Sequence, residues 1–130
     1  MATMILFDLH ALAHFQEDRP YVQVLSDIGT VRLILFGFRA GQQLRDHHTS
    51  SQILVQVLQG QVTFSSEGSS VNLQAGTLIQ LEAKIPHSVI AETDAVMLLT
   101  MTPSPTLEHS ASGGQRPLVQ HIADETHEDE

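Results

Sequence analysis

Between Tyr21 and Thr102 the chain alternates short apolar runs with polar or glycine-bearing punctuation. The runs are YVQVL, VRLILFGF, ILVQVL, QVTFS, SVNL, TLIQL, HSVIA and AVMLLTM, rich in Val, Ile, Leu and Phe and largely of period two. That pattern predicts eight β-strands. Between them, Asp27-Ile28-Gly29, Ala40-Gly41, Gly60, Glu67-Gly68 and Ala75-Gly76 place glycine where tight turns need it, at the spacing of about 8 to 12 residues found in all-β barrels and sandwiches. No connection carries a helical pattern long enough for a parallel crossover, so the strands are expected to be antiparallel. VRLILFGF is large and apolar at both parities, which predicts a strand covered on both sides, with a dimer partner as one cover.

The flanks read differently. Asp8 precedes LHALAHFQ, in which Leu9, Leu12 and Ala13 recur at helical spacing, so a short capped helix is expected over residues 8–16. After Thr102 the stretch PSPTLEHSASGGQRP is loop-like and HIADETHEDE is acidic, which predicts a mobile tail in which RPLVQHI is a candidate docked segment. The expected organisation is an arm over residues 1–20, a β-domain over 21–102 and a tail over 103–130.

Composition narrows the functional classes. A chain of 130 residues with 42% hydrophobic and 16% charged positions suits one globular domain, and with 5% aromatics its core must come chiefly from Leu, Ile and Val. The formal net charge of −9 disfavours phosphate backbones, so nucleic acid is not an expected partner. Five acids lie in the last seven residues, leaving 10 acids against 6 bases before them. Cysteine is absent, which removes disulfides, a thiolate nucleophile and thiolate-bound zinc. No run approaches the roughly 18 apolar residues of a membrane span, and MATMILFDLH lacks the basic start of a secretory signal, so the expected compartment is the cytoplasm, away from membranes.

Two motifs carry a resemblance. Gly41, QQLRD, His47 and Gly60 fall on a pattern of G, five residues, H-x-H, three or four residues, E, six residues, G. Gly76, TLIQL, Pro86 and His87 fall on a second pattern of G, five residues, P-x-G, two residues, H, three residues, N. With the strands around them, residues 20 to 102 resemble a small single-domain cupin of the conserved-barrel, RmlC-like type. The resemblance implies an all-β double-stranded β-helix, or jelly-roll barrel, and a homodimer. It also implies a divalent metal (Zn, Ni, Mn or Fe) held by three His and one Glu.

The chain departs from that ligand set. Thr49 stands where the second histidine of H-x-H falls, with the extra histidine adjacent at His48, and Ile53 stands at the glutamate. In the second motif Glu82, Lys84 and Ala91 replace the proline, glycine and asparagine. His47 and His87 alone carry over. Side chains alternate along a strand, so His47 and His48 face the same way only across a bulge, and motif parity makes His47 the inward one. Two histidines hold a divalent ion weakly, since catalytic sites usually use three protein ligands, and iron oxygenase chemistry asks for two histidines and a carboxylate.

Three readings follow. In the first, His47, His87 and His48 or water hold a metal that supports dioxygenase-like or isomerase-like chemistry. In the second, a metal-free barrel binds or senses a small, partly apolar molecule bearing one oxygen or carboxylate, in a pocket formed by Thr49, Ile53, Val55 and Val57 with the two histidines as polar anchors. In the third the barrel is a structural homodimer. Other groups are weaker candidates: His10 and His14 at i, i+4 spacing on the expected helix, tail residues His109, His121 and His127, a Glu82–Lys84 surface ion pair, and Gln52, Gln56 and Gln59 on an outer sheet face.

Overall fold

The computed structural model describes residues 4–105, with the backbone alone at Ile28, Asp46 and His47. The expected tail beyond Pro105 lies outside the described residues. Nine strands follow one short helix: α1 (Leu9–Leu12), β1 (Tyr21–Ile28), β2 (Val31–Phe38), β3 (Gln43–His47), β4 (Gln52–Gln59), β5 (Gln61–Ser66), β6 (Ser69–Gln74), β7 (Leu78–Leu81), β8 (His87–Ala91) and β9 (Ala95–Thr102). All eight anticipated strands form. The ninth, β3, has the sequence QLRDH, too polar to stand out by hydrophobic period.

The strands make two antiparallel sheets, one of five in the order β1-β2-β9-β4-β7 and one of four in the order β3-β8-β5-β6. Between them lies a single core that includes Ile34, Phe36 and Phe38 of β2, Ile53, Val55 and Val57 of β4, Val62 and Phe64 of β5, and Met97, Leu99 and Met101 of β9. Each fully buried side chain of this kind contributes about 1.5–3 kcal/mol. The strict alternation in β4, where Ile53, Val55 and Val57 are buried and Gln52, Leu54 and Gln56 are half-buried, shows which parity faces inward.

The turns sort to two ends. At one end lie the β1–β2 turn, the loops 48–51 and 82–86, the β5–β6 turn and the exit of the chain after β9. At the other lie the connections 39–42 and 92–94, Gly60 and the turn before β7. Asp94 holds that second end together: its carboxylate accepts from the Ala40 amide and the Arg39 guanidinium, each at 2.9 Å. Gly60 is confined beneath it, at a φ of +79° and with the place of a Cβ only 2.1 Å from the Asp94 carbonyl oxygen. Gly29, Gly41, Gly68 and Gly76 also adopt positive φ, as turn glycines do.

Two expectations change. The helix is only Leu9–Leu12; the Asp8 carboxylate caps it by accepting from the Ala11 amide at 3.2 Å, but the chain is extended again at Ala13. One turn buries too little to extend further, and no residue of α1 is buried. The second side of β2 is met by the chain itself: a Cβ on Gly37 would lie 1.8 Å from the His14 carbonyl oxygen, so the arm crosses the outer face there. Gln42 fixes this crossing by donating to the Gln16 carbonyl at 2.8 Å, and Arg39 lies 4.9 Å above the Phe15 ring.

Candidate site at the histidine end of the barrel

The two motif histidines meet through backbone register. The His47 Cα is paired with the His87 Cα between β3 and β8, next to an irregularity between Leu44 and His47. Directly opposed residues of an antiparallel ladder stand about 4.5–5.5 Å apart at Cα. Two positions 40 residues apart in the chain thus become neighbours at the end that carries the loops 48–51 and 82–86. Those loops are tied together by the Lys84 amide, which donates to the Thr49 carbonyl at 2.7 Å with Lys84 at a φ of 71°.

His87 is buried and its ring stacks on Phe64, with centroids 5.5 Å apart and planes inclined by 10°. Nδ1 lies 3.1 Å from the Ile85 carbonyl oxygen. A carbonyl only accepts, so Nδ1 carries the proton, and in the neutral ring the lone pair belongs to Nε2. That tautomer presents an acceptor to a ligand's hydroxyl or carboxylic proton, or a donor atom to a metal.

At the same end of the five-stranded sheet lies a row whose members are fixed by register. Asp27 pairs with Arg32, Arg32 with Met101, Met101 with Ile53, and Ile53 with Leu81. Arg32, Met101 and Ile53 have the parity of the core, and all three are buried. Arg32 donates to Asp27 at 2.8 Å; its side chain is 0% exposed and that of Asp27 24%. Asp27 also accepts from the Ser104 hydroxyl. The pair is formally neutral, but its positive member sits deeper and one strand nearer Ile53, so its dipole presents the positive end to the interior. In a medium of low dielectric that favours anions and opposes cations.

The remaining expected site residues are placed as follows. Val55 and Val57 lie in the core with Ile53. Thr49 is buried, and its hydroxyl accepts from the Ser51 amide at 2.8 Å in a local turn. Ser51, also buried, donates to the Pro103 carbonyl at 2.6 Å and so closes the floor of this end against the departing chain. His48 is exposed. A cleft of about 420 Å³ opens beside Pro86 at the β5–β6 turn, lined by Ser65, Ser66, Ser69, Ser70 and Glu67. His14 falls beyond the end of α1 and packs edge-on against Tyr21 at 5.3 Å, so the two histidines do not share a helix and the weak candidate pairing at i, i+4 is not realised. No ion pair joins Glu82 to Lys84 among the described residues.

The donor chemistry does not fit the customary four-ligand metal site. Ile53 replaces its carboxylate within an apolar row, and the Thr49 hydroxyl is engaged by its own turn. Among the described residues no group of three His, Asp or Glu side chains converges. Sequence reasoning missed Arg32, Asp27, Ser104 and Phe64. The signal for Arg32 was present, because it shares the parity of Ile34, Phe36 and Phe38 in VRLILFGF; Ser104 and Phe64 depend on contacts with distant parts of the chain.

The family follows from these features together with direct comparison. A model of the cupin domain matches residues 34–103, over half of the chain, and the chain belongs to the cupin family. No curated protein matches it in sequence. Among solved structures it is similar to an RmlC-like cupin protein from Desulfovibrio desulfuricans, with 25% identity, a TM-score of 0.73, and 78% of this chain and 98% of that one covered. A cupin 2 conserved barrel protein from Leptotrichia buccalis shares 29% identity at a TM-score of 0.69, over 74% of this chain and 47% of that one. KdgF from Halomonas sp. shares 18% identity at a TM-score of 0.62, over 67% and 82%, a likeness of fold alone. No helix among the described residues is long and apolar enough to cross a membrane.

Proposed function

We propose that the barrel is a binding module for a small, partly apolar molecule carrying an anionic oxygen group, held at the histidine end without a resident metal. The carrying observation is the row Arg32–Met101–Ile53–Leu81, which sets a buried guanidinium and three apolar side chains on the face where the family has a carboxylate. The ligand's apolar part packs against Ile53 and Leu81, its anionic group is drawn by the inward end of the Arg32–Asp27 dipole, and His87 accepts at Nε2 a hydrogen bond from a hydroxyl of the same ligand. The test is a thermal-shift and calorimetric series of small aliphatic and aromatic carboxylates against the amides of the same acids. Carboxylates are expected to raise the melting temperature and their amides not, with hydroxy acids gaining most and His87→Ala removing that extra gain. Equal shifts from the amides overturn the reading.

A second reading has its own support in the Cα pairing of His47 with His87. There a divalent ion takes imidazole nitrogens and water, with His48 as a further ligand if its exposed segment turns inward, and supports dioxygenase-like or isomerase-like chemistry by analogy of fold. Elemental analysis of untagged full-length protein bearing alanine at His109, His121 and His127 separates the two. Near-stoichiometric metal that disappears in His47→Ala and His87→Ala favours the second; metal below about a tenth of an equivalent favours the first.

A further inference from the structure

The inner face of the four-stranded sheet changes character at the histidine end. On β5, Val62 and Phe64 are buried, and Ser66, of the same parity, follows them half-buried. β5 pairs with β8 through Val62 with Ala91, Phe64 with Val89 and Ser65 with Ser88, so the next step of that register sets Ser66 beside His87. On its other side Ser66 is paired with Ser69 of β6. His47, His87, Ser66 and Ser69 therefore form one row across β3, β8, β5 and β6, with neighbours about 4.5–5.5 Å apart at Cα. Ser66 and Ser69 also line the cleft of about 420 Å³ beside Pro86, a volume within the range of about 300–1,000 Å³ usual for small-molecule sites. The turn between them is fixed: Glu67 and Gly68 both take positive φ, 50° and 83°, as a two-residue hairpin turn of type I′ requires.

The hydrogen bonds along this row decide what it can hold. The Ser66 hydroxyl donates to the Pro86 carbonyl at 2.7 Å, so toward a ligand it only accepts. Nε2 of His87 is likewise an acceptor, because Nδ1 carries the ring proton. The Ser69 hydroxyl is exposed and has no partner among the described residues, so it can donate or accept. Two neighbouring acceptors call for two neighbouring O–H donors. The Glu67 carboxylate at the edge of the cleft repels a ligand's own carboxylate, which leaves the anionic group to the Arg32 end. We infer that Ser66 and Ser69 form a second hydroxyl station of the site, and that the ligand is a carboxylate with hydroxyls on two neighbouring carbons, one held at His87 and the next at the serine pair. This rests on the anion reading proposed above and narrows its ligand from small acids in general to dihydroxy acids.

The experiment is titration calorimetry on the full chain with butanoate, 2-hydroxybutanoate, 2,3-dihydroxybutanoate, 3-amino-2-hydroxybutanoate and the uncharged butane-2,3-diol. The second hydroxyl is expected to tighten binding about two- to tenfold over 2-hydroxybutanoate, the worth of one hydrogen bond. Ser69→Ala breaks no hydrogen bond among the described residues, so it spares the fold; it is expected to lower that ratio, and Ser66→Ala with Ser69→Ala to abolish it. Three results overturn the inference while the anion reading stands: no gain from the second hydroxyl, a gain that survives both substitutions, or tighter binding of the amino acid than of the dihydroxy acid. Equal weakening of every acid by Ser66→Ala also overturns it, since that is the mark of a serine that merely positions Pro86. Failure of the anion reading looks different: butane-2,3-diol then binds as tightly as 2,3-dihydroxybutanoate and loses as much in the double variant. Binding of none of the five compounds overturns both.

Discussion

Restoring the family's carboxylate by Ile53→Glu tests directly whether the residue at position 53 sets the metal affinity of this barrel. Ile53 is 1% exposed and lies in register between Met101 and Leu81. Losing its burial costs about 1.5–3 kcal/mol, and a carboxyl group set among apolar neighbours with incomplete hydrogen bonding adds about 1–3 kcal/mol. The sum is about 2.5–6 kcal/mol, which at about 3–5 °C per kcal/mol for a domain of this size lowers the melting temperature by about 8–30 °C. The new carboxylate adds an oxygen donor at the end where the His47 and His87 Cα atoms are paired, and three ligands are the usual minimum for firm metal binding. Manganese, nickel or zinc at about a hundred times its dissociation constant then returns about 2.7 kcal/mol. The assay is scanning calorimetry with and without metal and chelator. The variant is expected to be strongly destabilised and partly rescued by metal, with little metal effect on the wild type. If the wild type gains as much from metal as the variant, Ile53 is not what limits metal binding and the reasoning fails.

Two further outcomes follow from the packing. Gly37→Ala sets a methyl group where the His14 carbonyl oxygen lies 1.8 Å away; it should cost about 1–3 kcal/mol and speed proteolytic cleavage before residue 20, and a melting point within about 1 °C of wild type would refute the crossing. The Asp94 carboxyl is held below its ordinary value of 3.8, first by the hydrogen bond from the Ala40 amide and then by Arg39. A depressed carboxylate stabilises the fold above its ordinary value and loses that contribution as pH falls through its lower, folded value. The stability gap between wild type and Asp94→Asn, from urea midpoints, should therefore be present near neutral pH and shrink below about pH 3.8; a constant gap would show that the contact is not ionic.

Much of this fold was legible because period-two patterning and turn glycines are local signals. VRLILFGF, ILVQVL and AVMLLTM became β2, β4 and β9, and the five glycines read as turn residues all take positive φ. The strand that escaped, QLRDH, is held by ladder bonds to β8 rather than by its own hydrophobicity, although it carries the first motif histidine. Asp8 was recognisable as a cap, but the length of its helix depended on burial that the sequence does not display. At the site, both histidine positions were visible from motif spacing. The row at the same end was not, because Arg32 and Ile53 lie on strands that never pair and meet only through β9.

Ser104 bonded to Asp27 and the Pro103 carbonyl held by Ser51 fasten the outgoing chain to the rim of the histidine end. Whatever is fused after Glu130 is therefore tethered to the histidine end by residues 106–130, a contour of at most about 90 Å. A purification tag of imidazoles there would visit the proposed site at an effective concentration that can reach the millimolar range. It would import metal, or crowd out a small anion, whatever the barrel's own preference. Affinity handles for binding work on this protein belong at the other terminus.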